Sequence, residues 1–327
     1  MLFCLVLLGV TLGFAQDSAL GRAAAAQPLE ISSERSLGVP AFQFYDLIQS
    51  DREGNLFFHA GRSVNDPAMR RIASDGKVTL YQSPRDLPKD AYFRRFYVTR
   101  SGQLYTLIAA SNGFELYCVP YRSNGEAESP LKLPEEGQMA ETEFAVFENG
   151  NILVGGFFRA PDALQGKRFR YLLNKNGELL RRLETTGENV DLGTVFRQLQ
   201  PGGIAEADDG NLYTLAGTGG GRFNVYAIAP DGTVTRKTSF KLLDADFVPV
   251  QIFVDSTHLA LVAHKRRKRA ANAVEIQVID LASGEAVGRY APPDGVGNML
   301  VVFSVKEGFK FLTSRNNVLG LVTAQIR

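Results

Sequence analysis

Short apolar runs separated by tight polar turns recur along most of this chain. The clearest unit is Ile204–Leu215. There Ile204-Ala205-Glu206-Ala207 enters Asp208-Asp209-Gly210-Asn211 and leaves through Leu212-Tyr213-Thr214-Leu215. The arrangement recurs at Asp46–Phe58, Phe96–Tyr105, Phe144–Leu153 and Val301–Phe311, and without the glycine at Ile252–Leu261. The residues that open the second strand, Leu56, Leu104, Ile152, Leu212, Leu259 and Phe309, are 48, 48, 60, 47 and 50 positions apart. A period of about 50 residues built on paired short strands predicts propeller blades and not a helical solenoid.

Five of the units carry a further hairpin. Met69–Ala73 turns at Asp75-Gly76 into Val78–Tyr81, and Leu116–Tyr121 turns near Asn124-Gly125. Phe169–Leu173 turns into Leu179–Leu183, Val225–Ala229 into Val234–Phe240, and Glu275–Asp280 into Val287–Tyr290. Asp-Gly and Asn-Gly supply the positive φ that such turns require. Each repeat therefore reads as strands A, B, C and D. The sixth has A, B and a C strand at Val318–Ala324, and then the chain ends at Arg327. Leu29–Ser32, from the other terminus, is expected to supply the missing D strand and remove an exposed edge. The predicted fold is an all-β, six-bladed β-propeller over residues 28–327, with four-stranded antiparallel blades and an N-terminal strand completing the last. A seventh blade would have to lie in residues 184–203, which are too few.

Residues 1–15, MLFCLVLLGVTLGFA, are apolar and uncharged, and Gly13-Phe14-Ala15 offers small residues before Gln16. They read as a signal peptide and are too short to span a bilayer. Residues 16–27 read as a linker. The expectation is an exported protein, periplasmic or extracellular, without a stable membrane anchor. Outside the signal, Cys118 is the one cysteine, so no intramolecular disulfide is expected. It sits in the strand-like Leu116-Tyr117-Cys118-Val119 and reads as a buried structural thiol. The 36 basic and 35 acidic residues leave a net charge of +1, so no global field recruits nucleic acid. The chain has no Trp, which argues against Trp-based repeats of the WD type.

The Ile204–Leu215 phrase resembles an NHL repeat, and residues 28–327 resemble six-bladed propellers of the NHL and gluconolactonase/regucalcin-like groups. The resemblance specifies blade architecture. It leaves function open, because this fold hosts both binders and hydrolases. The regucalcin-like lactonases bind a divalent cation at the channel mouth through Glu, Asn and Asp. By that resemblance Asp46, Glu143 and Asn298, near the starts of strands A, are candidate hard-oxygen ligands for a cation such as calcium. Gln251 occupies a similar position, and so does Arg95, whose charge opposes a cation.

Strand order places the short A–B and C–D turns on one face, and the longer B–C and D–A loops on the other. Long loops on a rigid scaffold are where sites concentrate. The B–C loops are net basic and the D–A loops net acidic. The sharpest local feature is Lys265-Arg266-Arg267-Lys268-Arg269. Together with Arg95 these are candidate ligand-binding residues for a protein, peptide or anionic glycan. No aromatic residues accompany the run for base stacking, so a nucleic acid partner is not expected. Gly219-Gly220-Gly221-Arg222 lacks the Lys-Ser/Thr and helix of a phosphate loop. His59, His258 and His264 form no spaced pair, which disfavours zinc and a Ser-His-Asp triad. Asp208 and Asp209 read as turn chemistry. The sequence favours a secreted, monomeric binding module without a cofactor. A metal-dependent lactonase or related hydrolase is the alternative, and a purely structural extracellular module a third.

Overall fold

The B strands carry the longest apolar runs and lie between two partner strands, so they form the buried spine of each blade. In Leu56-Phe57-Phe58-His59 no residue is more than 1% exposed. Fully burying one such aromatic side chain stabilises the fold by roughly 1.5–3 kcal/mol. The computed structural model describes residues 26–42, 48–60, 68–162, 164–183, 203–244, 246–265, 274–296, 299–304 and 308–326. These form six sheets in a ring, each with four antiparallel strands, and among the described residues there is no helix beyond a 3-10 turn at Ser111–Gly113.

Blade 1 comprises Gln49–Ser50, Leu56–His59, Met69–Ile72 and Val78–Tyr81, as strands A to D. Blade 2 comprises Tyr92–Val98, Leu104–Ala110, Glu115–Pro120 and Leu131–Lys132. Blade 3 comprises Gln138–Val146, Ile152–Ala160, Arg168–Leu173 and Leu179–Arg182. Blade 4 comprises Ile204–Glu206, Leu212–Gly219, Arg222–Ile228 and Val234–Lys241. Blade 5 comprises Phe247–Val254, His258–Lys265, Val274–Asp280 and Ala286–Ala291. Blade 6 comprises Met299–Ser304, Gly308–Arg315 and Val318–Gln325, with Glu30–Pro40 as its D strand.

The closing strand is longer than Leu29–Ser32. It runs eleven residues against Val318–Gln325. Just before it, Gln27–Pro28 adds a short parallel strand to blade 5, against Tyr290–Ala291. The N-terminal segment thus stitches blades 5 and 6 together. The buried residues of the closing strand, Leu37 and Val39, share a core cluster with Leu312 and Leu321 of blade 6 and with Ile48, Leu56 and Phe58 of blade 1. The join between last and first blades is therefore sealed by apolar packing as well as by strand pairing.

The A–B turns are locked by their own polar side chains. Asp51 Oδ1 accepts from the amides of Glu53 and Asn55 at 3.0 and 2.9 Å, and Asn55 Oδ1 accepts from the Ser74 amide of the C–D turn at 3.1 Å. Gly102 adopts φ +88°, and a Cβ there would stand 2.7 Å from Asp51 Oδ2, so this turn needs glycine on two counts. Blade 5 lacks the glycine and closes with a turn one residue shorter, where Asp255 Oδ1 accepts from the Thr257 and His258 amides, both at 2.8 Å. Cys118 is fully buried and unpaired, and burial pushes its thiol pKa far up. Among the described residues no helix is long and apolar enough to cross a membrane.

Candidate functional site

The A strands of all six blades surround a central cavity of about 400 Å³. Its wall includes Arg95, Glu143 and Gln251, three of the residues that the sequence placed at strand-A starts. The reason they meet is a shared irregularity. Strands A of blades 2, 3 and 5 each carry a register shift, between Phe93 and Arg95, Glu141 and Glu143, and Pro249 and Gln251. In each blade the residue after the shift stands three positions before the last paired residue of the strand, Val98, Val146 or Val254. Bulges re-aim side chains beside sites, and here they set Arg95, Glu143 and Gln251 at one level of the channel.

Glu143 and Arg95 are in opposite electrostatic situations. Glu143 is 6% exposed, and both its oxygens accept from Arg170 of strand C, at 2.7 Å from Nε and 2.5 Å from Nη2. To reach Arg170 the carboxylate crosses strand B above Gly155, where an added Cβ would lie 3.0 Å from Glu143 Oε2. Such a bidentate pair is geometrically specific and cancels the charge of Glu143 within its own blade. Arg94, the residue skipped at the blade 2 bulge, pairs with buried Glu141 of blade 3 at 2.5 Å. Arg95 has no side-chain acceptor among the described residues, and its Nε is buried without a partner.

The other end of the channel was not singled out by the sequence. There Arg100 of blade 2 reaches over blade 3 to Asp208 of blade 4 at 2.5 Å. The Arg100 amide donates to Glu206 Oε2 at 3.2 Å, while Glu206 Oε1 is buried with no donor among the described residues. Burial raises the Glu206 pKa to about 7. The Arg100 amide works against the rise, the Glu148 carboxylate adds to it, and the Arg100 guanidinium and Glu148 amide lower it. Asp209 behaves as turn chemistry requires, accepting from the Asn211 amide at 3.0 Å. Asp208 does not: it is the acceptor of the cross-channel ion pair.

Of the basic run, Lys265 alone lies within the described residues, and it does not line the channel. Lys265 borders a separate cleft of about 470 Å³ with Asp244, Glu275, Arg289 and Asp294, where Arg289 pairs with Glu275 at 2.6 Å. Arg266, Arg267, Lys268 and Arg269 lie outside the described residues, as do Asp46 and Asn298. Of the three candidate cation ligands, only Glu143 can be placed, and its oxygens already face a guanidinium. No group of three or more His, Cys, Asp or Glu residues is arranged to hold a metal ion among the described residues.

The ring, the channel and its charged walls define a six-bladed β-propeller with a candidate ligand channel. No family model matches the chain, and no curated protein matches it. Solved structures do. A gluconolactonase from Xanthomonas campestris is similar with a TM-score of 0.52 at 14% identity, covering 92% of this chain and 96% of its own. A luciferin-regenerating enzyme is similar with a TM-score of 0.51 at 10% identity, covering 90% and 96%. At such identities the likeness establishes the gluconolactonase-like propeller fold, in agreement with the resemblance read from the repeats.

Proposed function

We propose that this propeller is a binding module that takes a small anionic ligand into its central channel from the long-loop face, with Arg95 as anchor. One observation carries the reading. Once Glu143 and Arg170 cancel, Arg95 is the described charge left unanswered at that level of the wall. A partly buried guanidinium without an acceptor is costly until an anion supplies one, and its planar fork suits a carboxylate. Gln251, at the same level, offers a neutral donor and acceptor. The anion can belong to a peptide C terminus or to an acidic sugar. The reading of residues 1–15 as an export signal belongs to the same proposal, which sets the binding in the periplasm or outside the cell.

The test is titration calorimetry with acetate, glucuronate and phosphate against the wild type and Arg95→Met. The reading expects at least one of these anions to bind, and the binding to weaken tenfold or more in Arg95→Met, which keeps its fold. Equal affinity in both proteins would sink it. The hydrolase alternative requires Glu143 to leave Arg170 for a cation. It would be restored by a calcium-induced rise in melting temperature that Glu143→Ala abolishes.

A further inference from the structure

The two ends of the channel bear unanswered groups of opposite sign. Glu206 is the last paired residue of strand A in blade 4, yet its Oε2 is bonded to blade 2. Blade 3 stands between them, so the carboxylate lies over the end of the channel. The charged groups around it are otherwise committed. Arg100 is held by Asp208, and Glu148 accepts from the amide and hydroxyl of Ser101 at 2.7 and 2.6 Å. Asp51 and Asp255 accept from their own turns, and Arg52 is exposed at the rim. Tyr97, in the same wall, stays neutral, because burial and then the charges of Glu206 and Glu148 hold its hydroxyl pKa up. Among the described residues acids outnumber bases here, and Glu206 Oε1 lacks a donor. A ligand cation would supply one.

We infer that the channel takes a short linear zwitterion, its carboxylate at Arg95 and its ammonium at Glu206. This rests on the assignment of Arg95 as anion anchor. Strand geometry sets the ligand length. Glu206 and Val98 occupy the same position before their turns, and Arg95 stands three residues before Val98. At about 3.3 Å per residue the two charges are separated by roughly 10 Å along the channel. An extended peptide covers at most about 3.3–3.6 Å per residue, so a peptide of roughly three residues with free ends spans the interval. Docking an ammonium on Glu206 favours its ionised form. Since its pKa is raised to about 7, binding near neutrality should expel a proton and tighten as pH rises through 7.

The experiment is calorimetry of the full chain with trialanine, N-acetyl-trialanine and trialanine amide at pH 7, in two buffers of different ionisation enthalpy. Free trialanine is expected to bind with net proton release, and each cap to weaken it tenfold or more. Glu206→Gln should weaken trialanine to the level of the N-acetyl form, leave the N-acetyl form unchanged, and abolish proton release. The inference is overturned, with the Arg95 anchor intact, if N-acetyl-trialanine binds as well as trialanine while the amide does not. It is also overturned if trialanine binds without releasing protons, or fails to bind at millimolar concentration. Indifference to both caps would overturn the anchor as well.

Discussion

At the level of the bulges, about midway along strands A, the acid is paired and the base is not, whereas at the short-loop end the base is paired and the acid is not. Glu143 lies flat across Gly155 onto Arg170, and Arg95 is left without an acceptor among the described residues. Arg100 spans to Asp208, and Glu206 is left with an oxygen lacking a donor. The contrast shows how one kind of strand, repeated around a ring, can build two unlike ends. A bulge near the middle of strand A brings charged residues into the wall. The A–B turn at its lower end presents side chains that reach across to other blades. Each end uses an ion pair to hold one charge still, and leaves a second available.

The sharpest way to break the comparison is to remove the Glu143–Arg170 pair. Glu143→Ala leaves Arg170 buried without its carboxylate, and should cost about 3–5 kcal/mol in denaturant unfolding. The double variant Glu143→Met/Arg170→Met should recover most of that loss. If Glu143→Ala unfolds like the wild type, Arg170 has another way to answer its charge, and the two ends are less different than described.

The second effect is on pH dependence at the short-loop end. Burial lifts the Glu206 pKa from 4.5 to about 7, so the folded protein holds this proton more tightly than the unfolded chain. The resulting stability is full below about pH 4.5 and is lost as pH rises through about 7. After allowance for solvent screening it amounts to about 2 kcal/mol. Wild type should therefore lose about 2 kcal/mol more than Glu206→Gln between pH 4.5 and 8, by unfolding in urea at each pH. Equal slopes would mean that Glu206 is ionised throughout.

The architecture was legible because it repeats. Turn phrases near a 50-residue period, and a strand missing at one end and spare at the other, are properties of the chain that need no partner to interpret. The sites were legible only in part. Arg95, Glu143 and Gln251 read as strand starts, but the strands begin three to five residues earlier and these side chains stand near mid-strand after a bulge, which depends on the register of the neighbouring strand and leaves no local mark. Arg170 is 27 residues from Glu143 and sits on strand C, so nothing near Glu143 announces it. The one signal was Gly155-Gly156 inside strand B, where paired glycines mark a close approach. Asp208 was misread because it stands beside Asp209 in a turn, and its partner Arg100 is 108 residues away. The N-terminal parallel strand on blade 5 was also beyond reach, since two residues carry no periodicity.

Smaller effects sharpen the same comparison. Asp208→Asn removes a partly exposed pair and should cost less than about 1 kcal/mol, while making Arg100 available to small anions at the short-loop end. Arg95→Met should not destabilise the fold and should raise its stability slightly, because it removes a buried Nε that has no partner among the described residues.

The most direct measurement is anomalous diffraction from crystals soaked in bromide. The account predicts a bromide on the Arg95 guanidinium inside the channel, with Glu143 and Arg170 still paired beside it. An Arg95 side chain bound to a carboxylate of the protein, with no bromide in the channel, would contradict it.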